Sequence, residues 1–393
     1  MTIATRALAQ RIVETPPSAT VLIADIASEM RRSGINVIDF SAGRAVESTP
    51  DYISRAASEA MLAGDTHQTM AQGKPEFRET CARKLARENG IDADPDKNII
   101  ATLGCKQGLT LALMATINAG DEVIVEDPCF VSYAPTIRFC GGTPVSVPLR
   151  RENNFRWAKD ELEAAVTGKT RAILFCSPHN PTGIVHTESD LDTIAEIAER
   201  HNLYVIADEI YERVTWNGRR HVSIATRPQM RNRAIGLMGL TKSFAMGGWR
   251  IGFAYSSPHV IKAMVTLQQH LMTCAGAFTQ TGASAALRDA PPPEVTSLWE
   301  DWERRCAFVV AELNRLPGVS CLMPEGGFYA WIDISKRGEP SVALAERLLK
   351  EQHVALVPGA AFGTHGEGYL RMTCVKSWDD LHKGLERIKQ GLS

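Results

Sequence analysis

Short apolar segments alternate with helical patterns through the middle of the chain, and this alternation restricts the possible folds more than any other feature. Seven such segments, rich in Val and Ile, lie between Asn98 and about Ala254, each separated from the next by room for a helix. Strands that alternate with helices build a largely parallel sheet buried on both faces. We therefore predict an α/β protein whose large domain holds a mainly parallel sheet flanked by helices. The seven segments are NIIATLG, DEVIVEDP, TPVSVPL, RAILFCSPHNP, LYVIADEIY, RAIGLMGLT and RIGFAYSS.

Three consecutive prolines, Pro291 to Pro293, mark a predicted domain boundary because they cannot continue a helix. The sequence beyond them predicts a smaller α+β domain. The predicted domains are 1–48, an N-terminal arm with part of the small domain; 49–290, the large domain; and 291–393, the C-terminal small domain. The predicted elements of the last part are a helix from Val295 to Leu316, the strand-like GGFYAWIDI, a helix from Val342 to Glu351, the strand-like HVALVPG and a last helix from Ser377.

Composition narrows the class of ligand. The 393 residues are 44% hydrophobic and carry a net charge of −2, so no basic field favours nucleic acid or an anionic membrane. Nine cysteines are scattered without C-x-x-C spacing, which predicts reduced thiols in a cytoplasmic protein and neither a disulfide framework nor a metal site. Asp25 interrupts the only apolar run near the N-terminus, so we predict no export signal and no membrane anchor. A small-molecule ligand is expected.

The first candidate site is a turn. Ligands of open parallel sheets bind beyond the carboxyl ends of the strands. Gly104 ends one predicted strand, and a helix begins almost at once. The backbone N–H groups and the dipole of that helix favour an anion such as phosphate. The turn matches neither a Walker loop nor G-x-G-x-x-G, so an ordinary tight turn is the alternative.

Two further strand ends carry polar side chains. Asn180, in NPTG, either donates its amide to a ligand oxygen or only starts a turn. Asp208 ends an apolar segment, where a buried carboxylate needs a cationic or donating partner. Tyr211, three residues later, either reaches the same ligand with its hydroxyl or packs in the core.

The fourth strand end, TKSFAMGGWRIGF, combines Lys242 with Arg250. A lysine becomes a Schiff-base nucleophile when its ammonium loses a proton easily, which a neighbouring cation or desolvation promotes. Arg250 supplies such a cation and also binds anions. Two solvated surface charges are the alternative, but the flanks Phe244, Met246 and Trp249 are apolar. A phosphate turn, a carboxylate, oxygen ligands and a reactive lysine together suit pyridoxal phosphate.

The motifs TKSFAMGGWRIGF, NPTG and ADEIY resemble those of the class I/II aminotransferases, the fold-type I pyridoxal-phosphate enzymes similar to aspartate and aromatic amino-acid aminotransferases. The resemblance runs from about Ile38 to the last helix. It implies the type I PLP-transferase fold and a homodimer with shared active sites. It also implies ping-pong transfer of an amino group between an L-amino acid and a 2-oxo acid.

The resemblance also implies roles for individual residues. Lys242 forms the Schiff base with the cofactor, Arg250 holds its phosphate and Asp208 pairs with its pyridine nitrogen. Asn180 and Tyr211 bond the ring oxygen.

The remaining matches concern the phosphate, the cofactor ring and the substrate. Phe130 matches a ring stacked on the cofactor, with core packing as its alternative. Arg371 matches the clamp for the substrate α-carboxylate, a planar anion suited to a guanidinium. Gly43 lies near that carboxylate, and Asn180 also belongs to the substrate site. The matches to the phosphate turn are Gly104, Cys105 and Lys106, with Thr241 beside the lysine.

Several positions depart from the family pattern. GRAVES replaces the common G-E-P-D-F, so Arg44 either binds a second acidic group or is exposed at the mouth of the site. His67 and Gln68 stand where relatives have a tyrosine that reaches the neighbouring subunit's cofactor phosphate. Gly239 replaces a serine three residues before the lysine.

The choice of reaction and substrate stays open in the sequence. No arginine between Lys262 and Arg288 offers the distal-carboxylate clamp of some aspartate enzymes. Strict aspartate specificity is therefore in question. A pyridoxal-phosphate lyase, cyclase or synthase and a non-catalytic cofactor-binding regulator are the alternative functions.

Overall fold

The computed structural model of the protein describes residues 8–13, 15 and 17–392, so part of the predicted arm 1–48 lies outside the described residues. The helices are α1 (Gln10–Val13), α2 (Ala19–Arg32), α3 (Asp51–Leu62), α4 (Pro75–Lys84), α5 (Cys105–Thr116), α6 (Tyr133–Phe139), α7 (Lys159–Ala164), α8 (Glu188–Arg200), α9 (Pro258–Leu271), α10 (Ala277–Leu287), α11 (Pro293–Leu313), α12 (Ser341–Gln352) and α13 (Trp378–Leu392). The strands are β1 (Ile38–Asp39), β2 (Ile99–Thr102), β3 (Glu122–Asp127), β4 (Thr143–Pro148), β5 (Thr170–Cys176), β6 (Tyr204–Asp208), β7 (Ala234–Gly239), β8 (Gly252–Tyr255), β9 (Ser320–Cys321), β10 (Tyr329–Asp333), β11 (Val354–Ala355), β12 (Val357–Pro358) and β13 (Tyr369–Thr373).

The seven predicted strands of the large domain are all present and form one sheet in the order β2-β8-β7-β6-β5-β3-β4. Strands β3 to β7 pair in parallel, whereas β8 runs antiparallel to both β7 and β2. Helices cover the sheet and bury its central strands. These strands are accordingly apolar along almost their whole length. The predicted α/β class with a mainly parallel sheet is confirmed.

Helix α8 illustrates how local sequence fixes an element. The Thr187 hydroxyl accepts the backbone N–H of Asp190 at 3.2 Å, and the Asp190 carboxylate accepts that of Thr187 at 2.7 Å. This capping box satisfies two donors that a helix start leaves unpaired and stabilises the helix by about 1 kcal/mol. The apolar stripe of the helix, with Leu191, Ile194 and Ile197, is buried against the sheet.

The smaller unit contains an antiparallel sheet in the order β12-β13-β10-β9 and a parallel pair, β1 with β11. The prediction of one strand over HVALVPG was wrong, because the segment forms two. Strand β11 pairs with β1 and β12 pairs with β13, so the chain changes sheets around Leu356. A continuous apolar run gives no sign of such a change. The domain limits 1–48, 49–290 and 291–393 remain our proposal.

The site lies where the two units meet. Strands β5, β6 and β7 end at the same edge of the large sheet, and β13 of the smaller sheet brings Arg371 towards that edge. Helix α2 contributes Thr20, Val21 and Ala24 to the lining of the cavity that forms there. In the part of the chain that the structure describes, every helix is too short or too polar to cross a membrane.

Candidate active site

A cavity of about 350 Å³ opens at the carboxyl edge of the large sheet. It brings together nearly all the residues that the sequence singled out. Among the residues that the resemblance matches to the cofactor or substrate site, the exception is Gly104, which flanks the cavity: a Cβ there would lie 2.9 Å from Arg250 Nη2. The predicted residues that line the cavity are Gly43, Cys105, Lys106, Phe130, Asn180, Asp208, Tyr211, Thr241, Lys242, Arg250 and Arg371.

Lys242 follows β7 and projects into the cavity. Its Nζ donates a hydrogen bond to the carbonyl oxygen of Gly43 at 2.7 Å. The same atom lies 5.8 Å from the ring centroid of Tyr211 and 5.9 Å from that of Phe328. No carboxylate in the described part of the chain forms an ion pair with Lys242. Its amine is therefore held in place by a carbonyl and aromatic rings, which leave it chemically available.

Asp208, the last residue of β6, is buried in the wall of the cavity. The Tyr133 hydroxyl donates to its Oδ2 at 2.8 Å, and the Ile210 backbone N–H donates to Oδ1 at 3.3 Å. Burial raises the pKa of Asp208 to about 6, although these hydrogen bonds and the Lys242 charge oppose the rise. Of the two kinds of partner expected for Asp208, a cation or a hydrogen-bond donor, the structure shows a donor, the hydroxyl of Tyr133. No cation among the described residues lies within ion-pair distance, so this carboxylate can bind a cationic ligand group.

An anion site lies at the start of α5. Gly104 precedes the helix with a φ of +81°, which only glycine adopts readily. The first N–H groups of α5 lack partners within the helix and point towards its N-terminus. The Arg250 guanidinium lies beside this turn and donates to the carbonyls of Leu103 at 3.0 Å and Gly247 at 3.1 Å. The cation and the helix dipole act together on any anion bound there.

Arg371 is a buried cation that pairs with no carboxylate among the described residues. Its Nη2 donates to the Ser41 carbonyl at 2.6 Å and its Nη1 to Asn180 Oδ1 at 3.1 Å. Its Nε has no partner among the described residues, and its guanidinium carbon lies 4.3 Å from the ring centroid of Tyr329. Burial lowers the pKa of Arg371 because the charged form is desolvated. A buried, unpaired guanidinium suits a planar carboxylate ligand.

Two tyrosines meet beside these cations. The hydroxyls of Tyr211 and Tyr329 lie 3.0 Å apart. Burial raises the pKa of Tyr211 well above its usual value. Burial also acts to raise the pKa of Tyr329, but the nearby charges of Lys242 and Arg371 outweigh it and lower that pKa. The pair therefore forms a polarised hydrogen-bond chain at the cavity wall.

Tyr133 and Tyr329 line the cavity as well, and sequence reasoning missed both. Tyr133 stands three residues after Phe130 at the start of α6, and this spacing was the one available signal for it. Tyr329 had none, because its position depends on the approach of β10 to Gly43. A Cβ at Gly43 would lie 1.8 Å from the Tyr329 hydroxyl oxygen, so only glycine fits there.

Phe130 and Lys106 form another wall of the cavity. Phe130 packs edge-to-face on Tyr133 with ring centroids 5.6 Å apart. Lys106 Nζ lies 5.5 Å from the Phe130 ring centroid. Partial burial and the like charges of Arg250 and Lys242 lower the pKa of Lys106. No carboxylate in the described chain pairs with this lysine.

The residues that depart from the family pattern lie in different surroundings. Arg44 is exposed and does not line the cavity, and His67 and Gln68 are exposed as well. Gly239, by contrast, is packed against other side chains: a Cβ there would be 2.7 Å from Ile210 Cδ1 and 3.1 Å from Cys105 Sγ. Those two side chains occupy the space that a serine at this position would need.

Comparison with known proteins identifies the family of the chain. Residues 35–388 match the family described as aminotransferase class I and II. The chain is 39% identical to an aspartate aminotransferase of Pyrococcus abyssi and 38% identical to aromatic-amino-acid aminotransferase 2 of Thermococcus litoralis, with 98% of each chain covered in both cases. Aspartate aminotransferase from Thermus thermophilus with maleate superposes with a TM-score of 0.94 at 36% identity, covering 99% of this chain and 100% of that one. The chain therefore belongs to the class I and II aminotransferases, pyridoxal-phosphate-dependent enzymes that move an amino group between an amino acid and a 2-oxo acid.

Proposed function

We propose that the cavity binds pyridoxal phosphate and that the residues act in the roles implied by the family resemblance. One observation carries the proposal. The ionisable side chains that line the cavity include four cations and one carboxylate, and none of the four cations pairs with a carboxylate among the described residues. The cations are Lys106, Lys242, Arg250 and Arg371. Such an excess of unpaired positive charge fits a ligand set that carries a phosphate and carboxylates, with Asp208 left for a protonated ring nitrogen.

The bound cofactor supplies an aldehyde that condenses with amines and a ring that accepts electrons from the substrate α carbon. Lys242 Nζ holds the aldehyde and then moves the α proton. Asp208 keeps a proton on the ring nitrogen, while Asn180 and Tyr211 orient the ring oxygen by hydrogen bonds. The N-terminus of α5 and Arg250 bind the phosphate, with Thr241 beside them. Arg371 binds the substrate α-carboxylate.

We further propose dicarboxylic substrates, of the aspartate or glutamate type, with their second carboxylate on Lys106. This role departs from the resemblance, which places Lys106 in the phosphate turn. Three of the four unpaired cations already have roles: Lys242 holds the aldehyde, Arg250 the phosphate and Arg371 the α-carboxylate. Lys106 is the fourth among the described residues. Relatives named for aspartate support this choice. The apolar lining by Val21 and Leu109 also leaves room for aromatic donors, in line with the relative named for aromatic amino acids.

Replacing Lys106 by alanine is expected to lower kcat/KM for acidic amino donors by roughly 10- to 100-fold, because one charge-assisted hydrogen bond is lost. Aromatic and alanine donors should change little. The measurement is a screen of amino donors against 2-oxoglutarate and pyruvate. Arg44→Ala, a cation outside the cavity, is the matched control and should leave the profile unchanged. An equal loss for all donors in Lys106→Ala would assign the lysine to the cofactor phosphate instead.

The active unit that we propose is a homodimer with shared active sites. Exposed apolar side chains support an interface: Leu62 is 84% exposed at the end of α3, and Met272 is 51% exposed after α9. His67 and Gln68, in the loop after α3, would then contact the partner's cofactor phosphate.

Light scattering is expected to give a mass of about twice 43.0 kDa for the wild-type protein. Leu62→Asp should shift the population towards monomer and lower activity, because an aspartate cannot be buried unpaired in an interface. Val342→Asp replaces an apolar side chain that is 46% exposed on α12 and should keep the dimer mass. A wild-type protein that is active as a monomer would contradict shared sites.

A cytoplasmic location completes the proposal. All nine cysteines are free thiols and most are buried, which supports a reducing compartment.

A further inference from the structure

A buried carboxylate lies directly behind the turn that carries Asn180. Glu126, the second-last residue of β3, has no solvent-exposed surface. Two histidines within the described chain lie close to it, His179 and His186. None of these three residues lines the cavity, and the transfer reaction uses none of them directly.

Glu126 contacts the loop 176–186 at three points. Its Oε2 accepts the backbone N–H of Cys176 at 2.9 Å, where β5 ends. Its Oε1 lies 2.9 Å from His186 Nε2, just before α8 begins. Its Oε2 also lies 3.3 Å from His179 Nε2, in the middle of the loop. One carboxylate on the neighbouring strand therefore forms hydrogen bonds with the beginning and the end of this loop. It also lies against the middle of the loop, where His179 Nε2 is buried without a hydrogen-bond partner among the described residues.

The hydrogen bonds of His179 determine which of its ring nitrogens carries the proton. The backbone N–H of Thr182 donates to His179 Nδ1 at 3.4 Å, and the Thr182 hydroxyl lies 2.7 Å from the same nitrogen. A backbone N–H can only donate, so Nδ1 is the acceptor and the proton of the neutral ring is on Nε2, facing Glu126. Burial lowers the pKa of His179, which keeps the ring neutral near pH 7. His179 thus lies between Glu126 and the NPTG turn and is in contact with both.

Asn180 follows His179 in this turn and faces the cavity. Its Oδ1 accepts from Arg371 Nη1 at 3.1 Å, so its Nδ2 is the group left to donate to a ligand. A small displacement of the loop would misalign this donor and also disturb the contact with Arg371. Misplacement on the ångström scale is enough to reduce catalysis strongly.

We propose that Glu126 is a positioning residue that fixes Asn180 for its hydrogen bond to the ring oxygen of the cofactor. The inference rests on the role proposed above for Asn180. Glu126→Gln keeps the shape of the side chain but turns one acceptor oxygen into an N–H donor. Facing Cys176, that donor would oppose the backbone N–H. Facing His186, it would force the ring proton from Nε2 to Nδ1, which is buried without a hydrogen-bond partner among the described residues. Either orientation therefore weakens the hold on the loop.

The test is a spectrophotometric pH titration of the visible absorption band of bound pyridoxal phosphate. A hydrogen bond from Asn180 stabilises the ionised ring oxygen, so its loss raises the pH midpoint of the band. We expect a rise of about one pH unit for Asn180→Ala, and a smaller rise in the same direction for Glu126→Gln. The double variant should have the midpoint of Asn180→Ala alone, because Glu126 acts through Asn180.

A matched control is Asp127→Asn. Asp127 is the next residue of the same strand and is buried, but its carboxylate contacts the backbone N–H and the Nδ1 of His365, on a different loop. Its midpoint should stay at the wild-type value. If Glu126→Gln does not accumulate as folded protein, Thr182→Val replaces it as the test variant. This substitution removes the hydroxyl that contacts His179, and the pH midpoint should rise by less than in Asn180→Ala.

The outcomes distinguish failure of the positioning role of Glu126 from failure of the role proposed for Asn180. A midpoint that rises in Asn180→Ala but stays unchanged in Glu126→Gln, or in Thr182→Val where that variant decides, overturns the positioning role alone. Additive shifts in the double variant overturn it as well, since Glu126 would then act independently of Asn180. An unchanged midpoint in Asn180→Ala removes Asn180 from the ring oxygen, and the inference fails together with that part of the proposed function.

Discussion

Replacing Lys242 by alanine is expected to abolish the visible absorption band of the bound cofactor and to lower kcat by roughly 10⁴-fold or more. The lysine is assigned both the covalent attachment and the transfer of the α proton. No other side chain that lines the cavity carries an amine except Lys106, which lies beside Phe130. The measurements are an absorption spectrum of the purified protein and a single-turnover assay with an amino donor.

The control for this experiment is Lys106→Ala, which removes a lysine from the same cavity and should retain the band. Lys242→Ala loses one hydrogen bond, to the Gly43 carbonyl, and the contacts with the rings of Tyr211 and Phe328, so the fold should persist. Circular dichroism checks this point. A Lys242→Ala protein that keeps both band and turnover would show that the covalent attachment lies elsewhere.

The second large effect is expected for Asp208→Asn. An asparagine cannot hold a proton on the ring nitrogen by charge, so we expect kcat to fall roughly 10²- to 10³-fold. Tyr133→Phe removes only the hydroxyl that donates to Asp208 at 2.8 Å and should have a much smaller effect. Steady-state assays of the two variants with the same donor compare them directly. Equal activity of Asp208→Asn and wild type would exclude the proposed charge pairing.

The same substitution should stabilise the cofactor-free protein at neutral pH. Burial raises the pKa of Asp208 from 3.8 to about 6. Between these values the unfolded chain has lost the proton and the folded protein still holds it, so the free energy of unfolding falls as pH rises. Asp208→Asn removes this loss of stability. We expect the free energy of unfolding of the variant at pH 7.5 to exceed that of the wild-type protein by about 1 to 3 kcal/mol.

Urea unfolding of the cofactor-free proteins at two pH values measures the difference. Near pH 4 the two proteins should be about equally stable, because Asp208 is then protonated in the fold. A variant that is less stable than wild type at pH 7.5 would mean that the folded protein favours the ionised carboxylate.

Much of the large domain was predictable because local sequence controls it. Each central strand of a buried parallel sheet needs an apolar run, and each following helix needs room and a cap, as Thr187 and Asp190 provide. The site residues at the ends of β5, β6 and β7 were predictable for the same reason. Parallel strands place their carboxyl ends at one edge of the sheet, so Asn180, Asp208 and Lys242 had to lie near one another.

The smaller unit was harder to predict. The change of sheets around Leu356 has no sequence signal, since both short strands are equally apolar. Tyr329 and helix α2 reach the cavity through contacts between units, which periodicity does not report. The cluster around Glu126 was also missed, because a lone glutamate at the end of a strand resembles a surface charge until its histidine partners are brought to it.

Local sequence was enough to predict the α/β class, the order of the large-domain strands along the chain and most of the residues around the cavity. How those residues meet depends on the packing of elements that are distant in the chain. Lys242 donates to Gly43, which is 199 residues away, and Arg371 donates to Asn180, which is 191 residues away. Hydrophobic periodicity encodes which face of an element is buried, whereas contacts over such separations depend on how whole elements pack.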